Sequence, residues 1–87
     1  MAKIRLDKWL WQARFFKTRS ICARAVSEGN VRINARKTCK PGRFVAAGDV
    51  LTLVRGKRID VVRIEALGSR RGSATEAQQL YTELAAE

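Results

Sequence analysis

Basic side chains are concentrated in the first half of the sequence, where their number and spacing suit them to bind phosphate groups. Residues 1–43 contain twelve Lys or Arg residues and two acids, Asp7 and Glu28, whereas residues 44–87 contain six basic and six acidic residues. The two halves therefore carry +10 and 0, and the net charge of +10 belongs to the first half alone. A concentrated cationic field attracts a polyanion, and nucleic acid is the commonest polyanion in a cell.

The segment Lys17-Thr18-Arg19 is the centre of the predicted binding surface. It lies at the junction with a predicted second helix and includes the first residue of that helix, where backbone N–H groups and the helix dipole favour a phosphate group. The Thr18 hydroxyl is suited either to cap this helix or to contact a phosphate. We expect Asp7 to orient a neighbouring arginine through a bidentate pair. The predicted nucleic-acid-binding residues are Arg5, Lys8, Arg14, Lys17, Thr18, Arg19, Arg24, Arg32, Asn34, Arg36, Lys37 and Lys40.

Asn34 and the aromatic residues of the first half each allow more than one role. Asn34 fits a turn better than it fits a base contact. Trp9 belongs to the apolar face of the first helix and is expected in the core, whereas Trp11 is expected opposite that face. There Trp11 could either stack on an unpaired base or pack on a long side chain or a partner. Phe15 and Phe16 are expected to pack at the hinge between two helices.

Nothing in the sequence resembles a catalytic or metal-binding constellation. The chain has no histidine, and its cysteines, Cys22 and Cys39, have no C-x-x-C spacing, so a zinc site is excluded. We expect both thiols to be reduced and partly buried. Phosphate-binding loop motifs are also absent. We therefore predict a binding protein, not an enzyme, with no metal, no cofactor and no small-molecule substrate.

Hydrophobic periodicity predicts an α+β fold, in which two short N-terminal helices pack on a small, mostly antiparallel sheet. The helical period appears in residues 5–14 and 19–28, and the period of a strand follows it. The predicted extended segments are residues 31–33, 44–45, 50–54 and 59–67, with the last two as hairpin partners. A short helix over residues 75–84 is expected to close the chain, docked through Leu80, Tyr81 and Leu84.

The length of 87 residues allows one domain. We assign residues 1–67 to this domain and residues 68–87 to a basic loop and the short helix docked on it. No apolar run is long enough to cross a membrane, and the N-terminus is charged from its start, without the apolar region of a signal peptide. We therefore expect a cytoplasmic protein that does not bind membranes. We further expect it to be a monomer.

Five short pieces of the sequence carry a family resemblance by their order and spacing. They are RLDKWL at 5–10, KTRS at 17–20, GNVRIN at 29–34, KPG at 40–42 and GDVL at 48–51. Together they resemble the S4 RNA-binding domain. Residues 5–19 are most similar to the ribosome-associated heat-shock proteins of this family, and the C-terminal segment is similar to the compact S4 proteins of bacterial ribosome quality control.

The resemblance implies binding to ribosomal RNA and tRNA on the large ribosomal subunit. It further implies a role in rescuing or recycling stalled subunits that carry peptidyl-tRNA. The heat-shock relatives have a long basic tail that the sequence to Glu87 does not contain, so the resemblance does not extend to functions that depend on that tail. Ala35 stands where the family commonly has glycine in a tight turn, and we expect the turn to differ in type, because alanine at positive φ costs energy.

Two other function classes compete with RNA binding. A helix-turn-helix protein that binds DNA has a similar pair of helices, but its charge would follow one recognition helix. The chain could also be the RNA-anchoring subunit of an RNA-modifying enzyme, with the catalytic domain on a separate subunit. We expect recognition through RNA backbone and shape, with weak sequence preference.

Overall fold

A computed structural model describes residues 2–86 of the chain. The elements in chain order are β1 (Ile4–Arg5), α1 (Leu6–Gln12), α2 (Arg19–Ser27), β2 (Val31–Ile33), β3 (Arg36–Thr38), β4 (Phe44–Val45), β5 (Val50–Arg55), β6 (Arg58–Ile64), α3 (Ala74–Gln78) and β7 (Tyr81–Ala86). Five strands form an antiparallel sheet in the order β3-β2-β5-β6-β7, and β1 pairs separately with β4. The predicted α+β fold is confirmed.

The core lies between the two N-terminal helices and one face of the five-stranded sheet. Alternation along the strands sends Leu51 and Leu53 of β5 inward, and both are fully buried. Trp9 of α1 is also fully buried, and its indole Nε1 donates a hydrogen bond to the Ala66 carbonyl at 3.0 Å. The prediction that Trp9 is a core residue is confirmed, and its hydrogen bond removes the cost of burying the indole N–H.

The hinge between α1 and α2 begins at Arg14. The predicted first helix extends to residue 14, but α1 ends at Gln12, because Arg14 adopts a left-handed conformation with a φ of 61°. This bend turns Phe15 into the core. The centre of its ring lies 5.9 Å from the ring centre of Trp9 and 4.6 Å from that of Tyr81. Phe16 is half-buried against the same cluster. The predicted hinge packing of both phenylalanines is confirmed.

The C-terminal segment differs from the prediction. The helix expected over residues 75–84 covers only α3, which Ser73 caps by accepting a hydrogen bond from the Glu76 amide at 3.2 Å. Tyr81–Ala86 instead forms a strand on the free edge of β6. The prediction is wrong here because pairing with an exposed sheet edge outweighs a local helical pattern, and Tyr81 and Thr82 favour strands. The division at residue 67 stays a prediction.

The turn between β2 and β3 keeps its tight form despite Ala35. Asn34 and Ala35 have φ values of 51° and 69°, as the two central residues of a type I′ turn require. Asn34 holds the turn, because its Oδ1 accepts from the Val50 amide at 2.9 Å and its Nδ2 donates to Asp49 at 3.2 Å. The expected change of turn type is therefore wrong, whereas the turn role of Asn34 is confirmed.

Candidate nucleic-acid interface

Asp7 joins two arginines from different elements. Its carboxylate is buried in the first turn of α1. Arg5 donates to it twice, from Nε to Oδ1 at 3.2 Å and from Nη2 to Oδ2 at 3.1 Å. Arg19 at the start of α2 places Nη2 3.7 Å from Oδ1. The predicted bidentate pair is confirmed, and we call Arg5, Asp7 and Arg19 the arginine cluster.

The loop before β4 positions Arg5 and Asp7. The Leu6 amide donates to the Arg43 carbonyl at 2.8 Å, and the Asp7 amide donates to the Pro41 carbonyl at 3.1 Å. These bonds satisfy the first amides of α1 and tie the loop to the helix. The Arg5 guanidinium packs on Gly42, with Nη2 3.4 Å from the position that a Cβ would occupy. Glycine at this position therefore gives the guanidinium room.

Thr18 caps α2 beside the arginine cluster. Its backbone is extended, and its Oγ1 accepts a hydrogen bond from the Ile21 amide at 3.2 Å. The predicted cap is confirmed. The hydroxyl keeps its own proton as a donor, so capping does not exclude a phosphate contact. The positive end of the helix dipole lies at Arg19, where it adds to the attraction for an anion.

The buried carboxylate also affects Cys22 in α2. Burial, with a further contribution from the negative charge of Asp7, raises the pKa of the Cys22 thiol to about 11. This thiol is therefore protonated and unreactive at neutral pH. Cys22 is buried and Cys39 is exposed, so the expectation of two partly buried thiols is wrong for Cys39. Within residues 2–86, no cluster of acidic or cysteine side chains could hold a metal ion.

Most of the predicted site residues are exposed, and they lie along the first half of the fold. Lys8 is half-buried. Arg32 and Lys37 are directly paired across β2 and β3, and Lys37 lies over Gly29, whose φ of 81° and lack of a Cβ allow this approach. The exposed residues are Arg5, Arg14, Lys17, Thr18, Arg19, Arg24, Arg32, Asn34, Arg36, Lys37 and Lys40.

Arg14 and Trp11 both contact the loop that precedes α3. Arg14 donates to the Gly72 carbonyl at 3.2 Å. The Arg71 guanidinium lies 5.6 Å from the centre of the Trp11 ring, and its Nε donates to the Trp11 carbonyl at 3.1 Å. Trp11 is half-buried and packs partly on the core, so its predicted position opposite the core is wrong. Of its two predicted roles, the structure shows packing on a long side chain, and stacking on a base stays a prediction.

Ion pairs explain why the second half of the chain contributes little positive charge to the surface. Arg55 and Arg58 both bind the buried Asp60, whereas Arg63 binds Glu65 at 2.9 Å. Arg70 likewise binds Glu76 at 3.1 Å. The network at Asp60 was not predicted from the sequence, although acids and bases alternating along one strand signal such pairs.

Arg55 also links this network to the hinge. Its Nη1 donates to the Phe15 carbonyl at 3.1 Å, while its guanidinium lies 5.3 Å from the centre of the Phe15 ring. Burial alone would raise the pKa of Asp60, but hydrogen bonds from Arg58 and Arg55 outweigh it and hold that pKa below its usual value. The buried network at Asp60 therefore stabilises the fold, whereas most basic side chains of the first half are exposed.

A small α+β domain with a cationic surface on two helices and the adjoining strands defines a class of domains suited to bind polyanions. The S4 domain matches residues 4–51, which is more than half of the chain, so the chain belongs to the S4-domain family. None of the helices in residues 2–86 is long and apolar enough to span a membrane.

Several relatives in this family are similar over nearly the whole chain. The heat shock protein 15 homolog of Haemophilus influenzae is 43% identical over 81 residues, which cover 93% of this chain and 61% of that protein. The RQC P-site tRNA stabilizing factor of Listeria innocua is 33% identical over 84 residues, covering 97% of this chain and 89% of that protein.

A solved structure shares the fold. It is the trimeric structure of heat shock protein 15 from Vibrio cholerae, with a TM-score of 0.89 and 44% identity, covering 97% of this chain and 84% of that one. This chain spans 61%, or about three fifths, of the length of the heat shock protein 15 homolog of Haemophilus influenzae.

Proposed function

We propose that this chain is a non-catalytic RNA-binding protein that binds ribosomal RNA and tRNA on the large ribosomal subunit. Its role is to rescue or recycle stalled subunits that carry peptidyl-tRNA. The observation that carries the proposal is the convergence of Arg5 and Arg19 on the buried Asp7, beside the Thr18-capped start of α2.

The charges of the arginine cluster support phosphate binding. One carboxylate faces two guanidiniums, so the cluster keeps a net positive charge. Asp7 accepts two hydrogen bonds from Arg5, and each guanidinium has five N–H donors, so several donors stay available. The side chains of Arg5 and Arg19 are 51% and 45% exposed, which leaves them accessible to a phosphate. A guanidinium already held in place loses less entropy when it binds.

The distribution of cations favours structured RNA over duplex DNA. Exposed basic side chains lie on β1, on α2 and on the β2–β3 hairpin, so they form a broad surface instead of a row along one recognition helix. A broad cationic surface suits the wide minor groove and irregular loops of folded RNA. Contacts of this kind read backbone and shape, and little base sequence.

The names of the relatives support the ribosome as the proposed binding partner of this chain. One relative is named for stabilizing the P-site tRNA. A small domain with one cationic surface can bridge two adjacent RNA surfaces, and each contact then raises the effective concentration for the other. We propose that one copy of the chain is sufficient for this bridging, in the cytoplasm. The trimer of the Vibrio cholerae relative gives the alternative assembly, which sedimentation in solution distinguishes.

Co-sedimentation with separated ribosomal subunits tests the proposal. We expect the chain to prefer large subunits over small subunits, and tRNA on the large subunit to tighten binding more than tenfold, about 1.4 kcal/mol. Equal binding to both subunits, with no effect of tRNA, would leave only a general RNA-binding module. A matched competition with duplex DNA separates the classes, because equal displacement of labelled structured RNA by DNA would contradict selective RNA binding.

A further inference from the structure

Phe44 presents an aromatic ring to solvent beside the arginine cluster. Its relative exposure is 61%, the largest among the big apolar residues that are exposed in residues 2–86. β4 is only two residues long, and its alternation sends Val45 into the core and Phe44 outward. Packing within the fold therefore does not account for an aromatic residue at this position.

Strand pairing fixes the neighbour of this ring. Arg5 and Phe44 are directly opposite each other in the antiparallel pair of β1 and β4. Directly opposed side chains lie on the same face, with Cβ atoms about 4.5–5.5 Å apart. Phe44 and Arg5 therefore project to the same face of this strand pair, where Asp7 holds the Arg5 guanidinium by two hydrogen bonds.

The other aromatic rings of the described chain already have partners. Trp9, Phe15 and Tyr81 pack on one another. Trp11 is covered by the Arg71 guanidinium, and Phe16 packs on the core. In residues 2–86, no ring or guanidinium stacks on Phe44.

We propose that Phe44 is a platform on which an unpaired base of the bound RNA stacks, while Arg5 and Arg19 bind the phosphates beside that base. This inference rests on the proposed RNA binding. The positive charge beside the ring favours a nucleic-acid base as its stacking partner. Each base is covalently joined to a phosphate backbone, and the neighbouring arginines attract those phosphates. Stacking accepts any base, so it fits recognition with weak sequence preference.

Fluorescence of an RNA hairpin with 2-aminopurine in its loop tests the stacking, because this base is quenched when it stacks. We expect the unmodified protein to quench the emission. Phe44→Ala should lose the quenching and bind the hairpin about 5- to 150-fold more weakly, the range for loss of one stacked base. Phe44→Leu keeps apolar bulk without an aromatic face and should behave like Phe44→Ala, whereas Phe44→Tyr should retain both signals.

Two controls make the test specific. Leu84→Ala removes another exposed apolar side chain, on β7, and should change neither signal. A fully paired RNA duplex has no unpaired base that could stack on Phe44, so Phe44→Ala should bind it with the same affinity as the unmodified protein. Thermal melts should show no change for Phe44→Ala, because the ring is exposed.

The outcomes separate the stacking from the proposed function. If Phe44→Ala keeps full affinity and quenching while Arg19→Ala binds more weakly, stacking is contradicted and RNA binding through the arginine cluster stands. If neither variant weakens binding, the proposed interface fails as well. Altered self-association of Phe44→Ala with unchanged RNA affinity would assign the ring to a protein contact and overturn the inference.

Discussion

Arg5 and Asp7 are two positions apart in the sequence, and they meet because a strand ends and a helix begins between them. Arg5 closes β1, Asp7 lies in the first turn of α1, and two hydrogen bonds of 3.2 and 3.1 Å join them. Asp7 also accepts from the Lys8 amide at 2.8 Å. A single buried acid thus fixes the start of a helix and the direction of an exposed guanidinium.

Asp7→Asn should weaken RNA binding, although it makes the protein more positive. The amide loses the charge-assisted pair with Arg5 and the attraction for Arg19, so both guanidiniums become free to reorient. We expect a loss of about 1–2 kcal/mol in binding free energy, measured by fluorescence anisotropy with a labelled structured RNA.

Glu28→Gln is the matched control, because it removes the other acid of the first half. Glu28 is exposed and follows the end of α2. This variant should bind RNA with equal or slightly higher affinity. If Asp7→Asn also bound more tightly, net charge alone would govern binding, and the orienting role of Asp7 would be wrong.

The first half of the fold could be predicted because its signals are local. The helical period, the cap at Thr18 and the pairing of Asp7 with an arginine all depend on residues near one another in sequence. β7 could not be predicted in the same way. Its segment carries a helical pattern of apolar residues. The strand with which it pairs, β6, is separated from it in the sequence by α3.

Long-range contacts also decide which candidate residues are available at the surface. Arg71 covers Trp11 from 60 positions away, and no local pattern signals that contact. The exposure of Phe44 follows from the pairing of β4 with β1, elements of two residues each that are too short to show a period of two. Charge segregation, by contrast, is visible in the sequence, and the ion pairs of the second half strengthen it.

RNA binding should depend steeply on salt concentration. If about six phosphates are neutralised, the logarithm of the binding constant should fall against the logarithm of salt concentration with a slope of roughly −4 to −5. Titrations of a labelled structured RNA at several salt concentrations measure this slope. A slope shallower than about −2 would remove the electrostatic basis of the interface.

Acid should destabilise the fold through Asp60. The pKa of this carboxyl is lower in the folded protein than in the unfolded chain, where it takes its ordinary value. Its stabilising contribution is therefore complete above the ordinary pKa and is lost as the pH falls through the lowered value. Asp60→Asn should lower the free energy of unfolding at neutral pH by about 1–3 kcal/mol and should flatten its dependence on acid pH. Urea denaturation over a pH series measures both.

Glu65→Gln is the control for this prediction. Hydrogen bonds from Thr82 and Arg63 lower the pKa of Glu65 as well, but this carboxyl is exposed. Solvent screens its ion pair, so its loss should destabilise the protein less than the loss of Asp60 does. Equal destabilisation by the two variants would contradict the structural importance of the buried network.

The most direct test of the arginine cluster as the RNA interface compares two variants, Arg19→Ala and Arg63→Ala. The measurement is the affinity of each variant for large ribosomal subunits that carry tRNA. Both variants remove one positive charge and one ion pair of an exposed arginine, with the buried Asp7 and with the exposed Glu65 respectively. Arg19→Ala should lose about 1–2 kcal/mol of binding free energy, the range for a charge-assisted contact, and Arg63→Ala should bind nearly as the unmodified protein does. Equal losses would mean that only total charge matters, and the interface built on the arginine cluster would be wrong.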